Sequence, residues 1–229
     1  MNTIKTLYYK KTIFTQLLFD LILLFLLFPL STNFFGSLVL SAGFLMTNLL
    51  VIKTLYIPKK WVLLLRILAF ICFFSHGIYF SNNSILIETT TLLTYLSYSG
   101  FICLAIIAIG SHIFTQTRVD ADVINGGISI FLLFGFLWFS LYNVILAIDP
   151  GAFQSSSLLD AESDYQLFYY SFTTLTTLGY GDILPINKFA MTLATSEAIV
   201  GLMYPAVFIS RLVGLYTTEL KGDRHESEQ

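Results

Sequence analysis

Six apolar stretches, each about as long as a bilayer is thick, leave this chain few ways to fold. A helix rises about 1.5 Å per residue, so a hydrocarbon core of ~30 Å takes about 20 apolar residues. Runs of that order occupy residues 12–30, 34–55, 61–80, 91–114, 127–148 and 189–216 of the 229. Lys10 and Lys11 precede the first, and Pro29 with Ser31, Thr32 and Asn33 closes it. The runs are continuous rather than alternating, which favours helices over the strands of a barrel; only these two satisfy backbone groups in lipid. Composition excludes a disordered chain and nearly excludes a soluble domain: 56% of residues are apolar and 11% charged, against roughly 45–50% and about 25% in soluble proteins. Net charge is −2, so no nucleic-acid partner is expected. Cys72 and Cys103 both lie inside apolar runs and cannot build an extracellular disulfide framework. The first run is too long, and lacks the small-residue cleavage pattern, to be a signal peptide.

Loop charges set the orientation. If the spans alternate, Lys5, Lys10, Lys11, Lys53, Lys59, Lys60, Arg118, Arg211, Lys221 and Arg224 all fall on one side. The other side has Lys188 against Glu88, Asp149, Asp160, Glu162, Asp164 and Asp182. Both termini are therefore expected in the cytoplasm, with 149–188 facing outward.

That outward segment does not read as a plain loop, because connections of such length are uncommon and usually functional. Its first part is polar and acidic. Residues 165–175, Tyr-Gln-Leu-Phe-Tyr-Tyr-Ser-Phe-Thr-Thr-Leu, are then apolar and hydroxyl-bearing, too short to cross but long enough for half a membrane. They predict a re-entrant helix capped by Asp164 or Ser163. Thr176, Thr177, Leu178, Gly179, Tyr180, Gly181 and Asp182 follow directly. Two glycines flanking one residue permit backbone angles that other residues resist. An extended stretch of this kind can turn successive carbonyls toward one axis, and a ring of carbonyl oxygens can replace the water shell of a cation. One chain supplies one row, so the residues themselves imply an oligomer.

The sequence Thr-Thr-Leu-Gly-Tyr-Gly-Asp resembles the selectivity filter of potassium channels. With the half-helix before it and a span on each side, residues 125–217 resemble the ion-channel domain of bacterial potassium channels. The resemblance implies a homotetramer in the lipid bilayer that passes K+. The carbonyls of Thr177, Leu178, Gly179 and Tyr180 would form the main K+ sites, the Thr177 hydroxyl the innermost one, and the Gly181 carbonyl the outer entrance. Asp182 would stand at the outer mouth, where a ring of acids concentrates cations. Tyr180 would pack against Tyr169 and Tyr170 and hold the filter open, with Thr173 and Thr176 as further support. The common form has Val or Ile where this chain has Leu178; only the carbonyl of that residue would line the path.

The layout also matches voltage-gated channels, whose fourth span carries a row of arginines. Residues 89–117 contain no Lys, Arg, Asp or Glu, so weak or absent voltage dependence is expected. Asp20 in the first span and Arg66 in the third lie at similar depth. They read either as an ion pair or as a separate acid with an arginine that snorkels to the headgroups. His76 reads as a packing residue.

In the last span Glu197, Gly201 and Pro205 are spaced by four. Pro205 lacks the N–H that would bond the Gly201 carbonyl, and glycine weakens the same turn. Family channels bend their inner helix near a glycine at this distance, so Gly201 resembles that hinge; the alternative is a glycine that only permits close packing. Glu197 reads either as an acid lining a water-filled cavity or as an acceptor for hydroxyls such as those of Thr173 and Thr174. Only 13 residues follow Tyr216, which suggests a solvated tail and no ligand-sensing domain.

The expected fold is an all-α membrane protein: six transmembrane helices with a re-entrant pore helix and filter between helices five and six, assembled as a tetramer. Residues 1–118 would be a four-helix scaffold, 119–217 the pore domain and 218–229 a cytoplasmic tail. The expected function is passive potassium conduction, not an enzyme activity, with no small-molecule substrate. A weakly selective cation channel and a modulatory, non-conducting subunit are the alternatives. The compact chain resembles bacterial members, which implies the bacterial inner, that is plasma, membrane.

Overall fold

The computed structural model describes residues 13–32, 34–54, 63, 67, 84–117, 119–155 and 164–227. Helix α1 covers Ile13–Leu27 and passes into a 3-10 turn at Phe28–Thr32. Helix α2 is Phe34–Thr54, α3 is Ser84–Thr115 and α4 is Ala121–Ile148. Strand β1, Phe153–Ser155, precedes the short helix α5, Asp164–Leu175. Strand β2, Ile183–Pro185, leads into the long helix α6, Lys188–Ser227.

Among the described residues three helical spans are long and apolar enough to cross a membrane: Thr91–Thr115, Ala121–Ile148 and Lys188–Thr217. The run at 12–30 gives something shorter than a uniform crossing helix. Proline disfavours helical angles in the residue before it, and the α-helix stops at Leu27, two residues short of Pro29. Fifteen residues rise about 22 Å. The run at 34–55 supplies α2, whose apolar part is Leu38–Val51. The run at 61–80, with Arg66 and His76, lies outside the described residues except for 63 and 67.

Several boundaries differ from the apolar runs, because caps rather than hydropathy set them. Helix α4 begins six residues before residue 127, where the Asp120 side chain accepts from Val123 N–H at 2.9 Å. It ends at Asp149, whose N–H donates to the Ile145 carbonyl at 2.8 Å. Helix α6 is 40 residues long and crosses the expected tail boundary at 217 without a break.

Helices α1 and α3 pack on α4, and α2 packs mainly on α1 and the 3-10 turn. At one end Phe14 N–H donates to Asp122 Oδ1 at 3.1 Å, and Asn125 Nδ2 donates to Thr15 Oγ1 at 2.9 Å. Helices α1 and α4 therefore start at the same level and run parallel. At the other end Phe28 stacks on Phe168 of α5, ring centroids 3.9 Å apart, and meets Phe139 of α4 edge-on. The connection between α3 and α4 is so short that the two become antiparallel neighbours, and Ser99 and Ser140 share a hydrogen bond of 2.8 Å across their contact. In lipid there is little hydrophobic drive between helices, so close approach and hydrogen bonds hold them together. At Gly127 of α4 an added Cβ would stand 1.9 Å from the Phe208 ring of α6. Beside it, Tyr204 Oη donates to the Gly127 carbonyl at 2.8 Å.

Candidate functional site

Helix α5 is wedged between α4 and α6, and the segment 176–182 leaves its C-terminus. The end of the helix organises that segment. Thr177 N–H donates to the Thr174 carbonyl at 2.9 Å; Leu178 and Gly179 N–H both donate to the Thr173 carbonyl, at 2.8 and 3.2 Å. Thr176 Oγ1 donates to the Phe172 carbonyl at 2.7 Å. Carbonyls that a helix end leaves over are thus spent on the chain that follows.

Left-handed residues then alternate with others. Thr177, Gly179 and Gly181 have φ of 58°, 50° and 79°, whereas Leu178 and Tyr180 do not have positive φ. Such alternation turns successive N–H groups to one side and carbonyls to the other. The N–H groups of Leu178 and Gly179 are both committed to the Thr173 carbonyl. Among the described residues none donates a hydrogen bond to the carbonyls of 177–181. Glycine takes these angles freely, but Thr177 does so at a cost of about 1–2 kcal/mol. A threonine kept there against that cost marks a constrained site.

The end of the segment at Asp182 is held by side chains. Tyr169 and Tyr180 stack with rings 2° from parallel and centroids 6.3 Å apart. Tyr169 Oη donates to Asp182 Oδ2 at 2.8 Å, and Ile183 N–H to Asp182 Oδ1 at 3.1 Å. Asp182 is therefore bonded to its own chain through both oxygens. Tyr170 does not join Tyr180: it turns inward to Tyr142 and Phe153, at 5.1 and 5.7 Å. Beyond Asp182 the chain is fixed by the antiparallel pairing of β2 with β1, Leu184 opposite Gln154, and by Ile186 N–H bonding the Ala152 carbonyl at 2.7 Å.

Glu197 lines no cavity. It is wholly buried, at 0% exposure, and accepts from Ser171 Oγ of α5 at 2.6 Å and from Tyr142 Oη of α4 at 2.5 Å. Of the threonines expected to meet it, Thr173 instead bonds the Tyr170 carbonyl. The reason is register: Ser171 is the α5 hydroxyl that faces the turn of α6 carrying the acid. Gly201 sits one turn further along α6. A Cβ there would stand 1.8 Å from the Leu175 carbonyl oxygen, which is the close-packing role. Pro205 lies within α6 without ending it.

Asp20 is buried in α1 and accepts from Thr47 Oγ1 of α2 at 2.5 Å; Arg66 lies outside the described residues. Arg211 is not a loose basic-tail charge: its Nη2 donates to the Phe114 and Gln116 carbonyls at 3.2 Å each, at the end of α3. Sequence reasoning missed Ser171, Tyr142 and the β1–β2 ribbon. It also missed Asn187, whose Oδ1 caps α6 at Ala190 N–H, 2.7 Å away, while its Nδ2 holds Asp149 at 2.8 Å. An asparagine just before an apolar run was a readable cap signal.

Comparison with known proteins bears on this same region. Residues 126–218 match a family model described as Ion channel. Among curated proteins, the inward rectifier potassium channel Kirbac3.1 of Paramagnetospirillum magnetotacticum is similar, 31% identical over 90 residues. Those residues are 39% of this chain and 27% of that protein, so the chain spans about a quarter of the relative's length. No solved structure matches. The apolar spans point to a membrane protein.

Proposed function

We propose that the chain is the subunit of a homotetrameric channel that conducts K+ passively, with Thr177, Leu178, Gly179, Tyr180 and Gly181 as its selectivity filter and α5 as its pore helix. The observation that carries this is the alternation of left-handed residues over 177–181, which gives a row of carbonyl oxygens with no partner among the described residues. Several such rows around one axis can replace the hydration shell of a cation. The similarity of this domain to a potassium channel supports K+ as the permeant ion.

Two further features favour several copies. In its most apolar stretch α6 is only 17% buried within one chain, against 50% for α4. Leu178 and Tyr180 are 55% and 67% exposed, although irregular backbone at membrane depth is tolerated only when buried in protein or lining a cavity. Neighbouring subunits would cover both. Residues 1–118 then form a scaffold and 119–217 the pore unit, with 218–229 as a cytoplasmic tail, in a bacterial inner membrane; α6 runs on as far as Ser227. The shared starting level of α1 and α4 agrees with that alternation of spans. Gly201 is clamped on Leu175 and Pro205 leaves the Gly201 carbonyl without a helical partner, which supports our reading that α6 bends in the 201–205 turn to open the pore.

Reconstitution of the single protein into liposomes tests the proposal. K+ flux that needs neither ATP nor a second protein, blocked by Ba2+ and much faster than Na+ flux, is expected. Equal K+ and Na+ flux would make it a weakly selective cation channel. Absence of flux from correctly assembled protein would make it a modulatory subunit.

A further inference from the structure

Glu197 is linked to the ion path without touching it. We infer that Glu197, acting through Ser171, is a positioning residue for ion selection: it fixes the register of α5 on α6, and with it the carbonyl that holds the 177–181 backbone. This rests on the reading of 177–181 as the filter.

Three helices close a triangle around this acid. Glu197 accepts from Tyr142 of α4 and Ser171 of α5. Ser171 Oγ also lies 2.8 Å from the Gly135 carbonyl of α4, so its one hydroxyl proton is within reach of an acceptor on each neighbouring helix. All three side chains are buried, and a polar network away from water is rigid when every member is satisfied. A second contact lies one turn along: Gly201 against the Leu175 carbonyl. Residues 197 and 201 of α6 thus meet residues 171 and 175 of α5 in order. Two contacts one turn apart fix both the translation and the rotation of one helix on the other. Thr173 lies between them, and its carbonyl binds Leu178 and Gly179 N–H. A slip of α5 therefore moves the two residues at the centre of the carbonyl row. Loss of packing alone would change how many channels assemble, but not which ion each one prefers.

The test reads the K+/Na+ permeability ratio from reversal potentials of the full chain in planar bilayers, a quantity independent of channel number. Ser171→Ala and Glu197→Leu are expected to lower the ratio about tenfold, the scale of one lost hydrogen bond to an acid. Glu197→Gln keeps the shape and a polar group toward each hydroxyl, and is expected to recover most of the ratio. An unchanged ratio in Ser171→Ala and Glu197→Leu overturns the inference. Where a variant carries no current, the K+ concentration that half-protects the purified assembly against heat decides: a severalfold rise supports positioning, and an unchanged midpoint overturns it. If the unmodified protein itself fails to follow the K+ gradient, the filter reading fails instead.

Discussion

At position 201 a side chain of any size collides with main chain, and main chain cannot rotate away. Gly201→Ala is therefore expected to cost more than the ~1–3 kcal/mol of ordinary overpacking, because its Cβ would meet the Leu175 carbonyl at 1.8 Å. Gly110→Ala is the control: its Cβ would meet Ile130 at an ordinary 3.9 Å, and the change should be neutral or slightly stabilising. Thermal unfolding of the purified protein checks both. The consequence for gating is that a silent Gly201→Ala channel says nothing about a hinge at 201; Pro205→Ala is the cleaner probe of bending. A second residue-scale prediction concerns Tyr169. Phenylalanine keeps the ring against Tyr180 and removes the bond to Asp182, worth about 0.5–1.5 kcal/mol. On the proposed filter reading, Tyr169→Phe channels should lose current faster during sustained activity; an unchanged time course would mean that the Tyr169 bond does not set the position of Asp182. The chemistry of 176–182 was legible in the sequence, because glycine spacing encodes backbone angle directly. The partners of Glu197 were not, because they depend on how three helices rotate against one another, and continuous apolar runs carry almost no rotational information.

Among the elements, α3 decides what kind of stimulus the scaffold can sense. A single charge crossing the whole field gains ~2.3 kcal/mol per 100 mV, about fiftyfold in an opening equilibrium. Residues 89–117, which make up nearly all of α3, carry no acidic or basic side chain except His112. Open probability is expected to change far less than that over 100 mV, measured with purified protein in symmetric K+ without blockers. A steep curve would locate charge movement elsewhere in the chain. What α3 does offer is an anchor. Its last carbonyls carry the negative end of the helix, and Arg211 of α6 reaches them from beyond the 201–205 turn. Elements of this length were readable from hydropathy. Their ends were not, since Asp120 and Asn187 set them by capping and Pro29 by steric exclusion, each a local effect that a run of apolar residues does not reveal.

For the whole molecule, with 1–118 as the proposed scaffold and 119–217 as the proposed pore unit of an oligomer, the question is whose pore unit each scaffold rests on. The chain from the end of α3 at Thr115 to the start of α4 at Ala121 is too short to carry α3 across to a neighbouring subunit. Helices α1 and α3 pack on their own α4, and Phe25 and Phe28 of the first half reach Phe172 and Phe168 of the same chain's α5. Each subunit is thus expected to keep its scaffold beside its own pore helix, so that copies meet through α6 and the 176–182 segment alone. The Ser99 and Ser140 hydroxyl oxygens are 2.8 Å apart, which makes the two positions a test of this arrangement in the assembled protein. In a background with Cys72→Ser and Cys103→Ser, the double variant Ser99→Cys, Ser140→Cys should oxidise within one chain. On a denaturing gel it should run as a compact monomer, while the native protein keeps its full oligomeric mass. Disulfide-linked dimers and higher ladders would mean that α3 lies on a neighbour's α4, and the paths by which the scaffold acts on the pore would then cross between subunits.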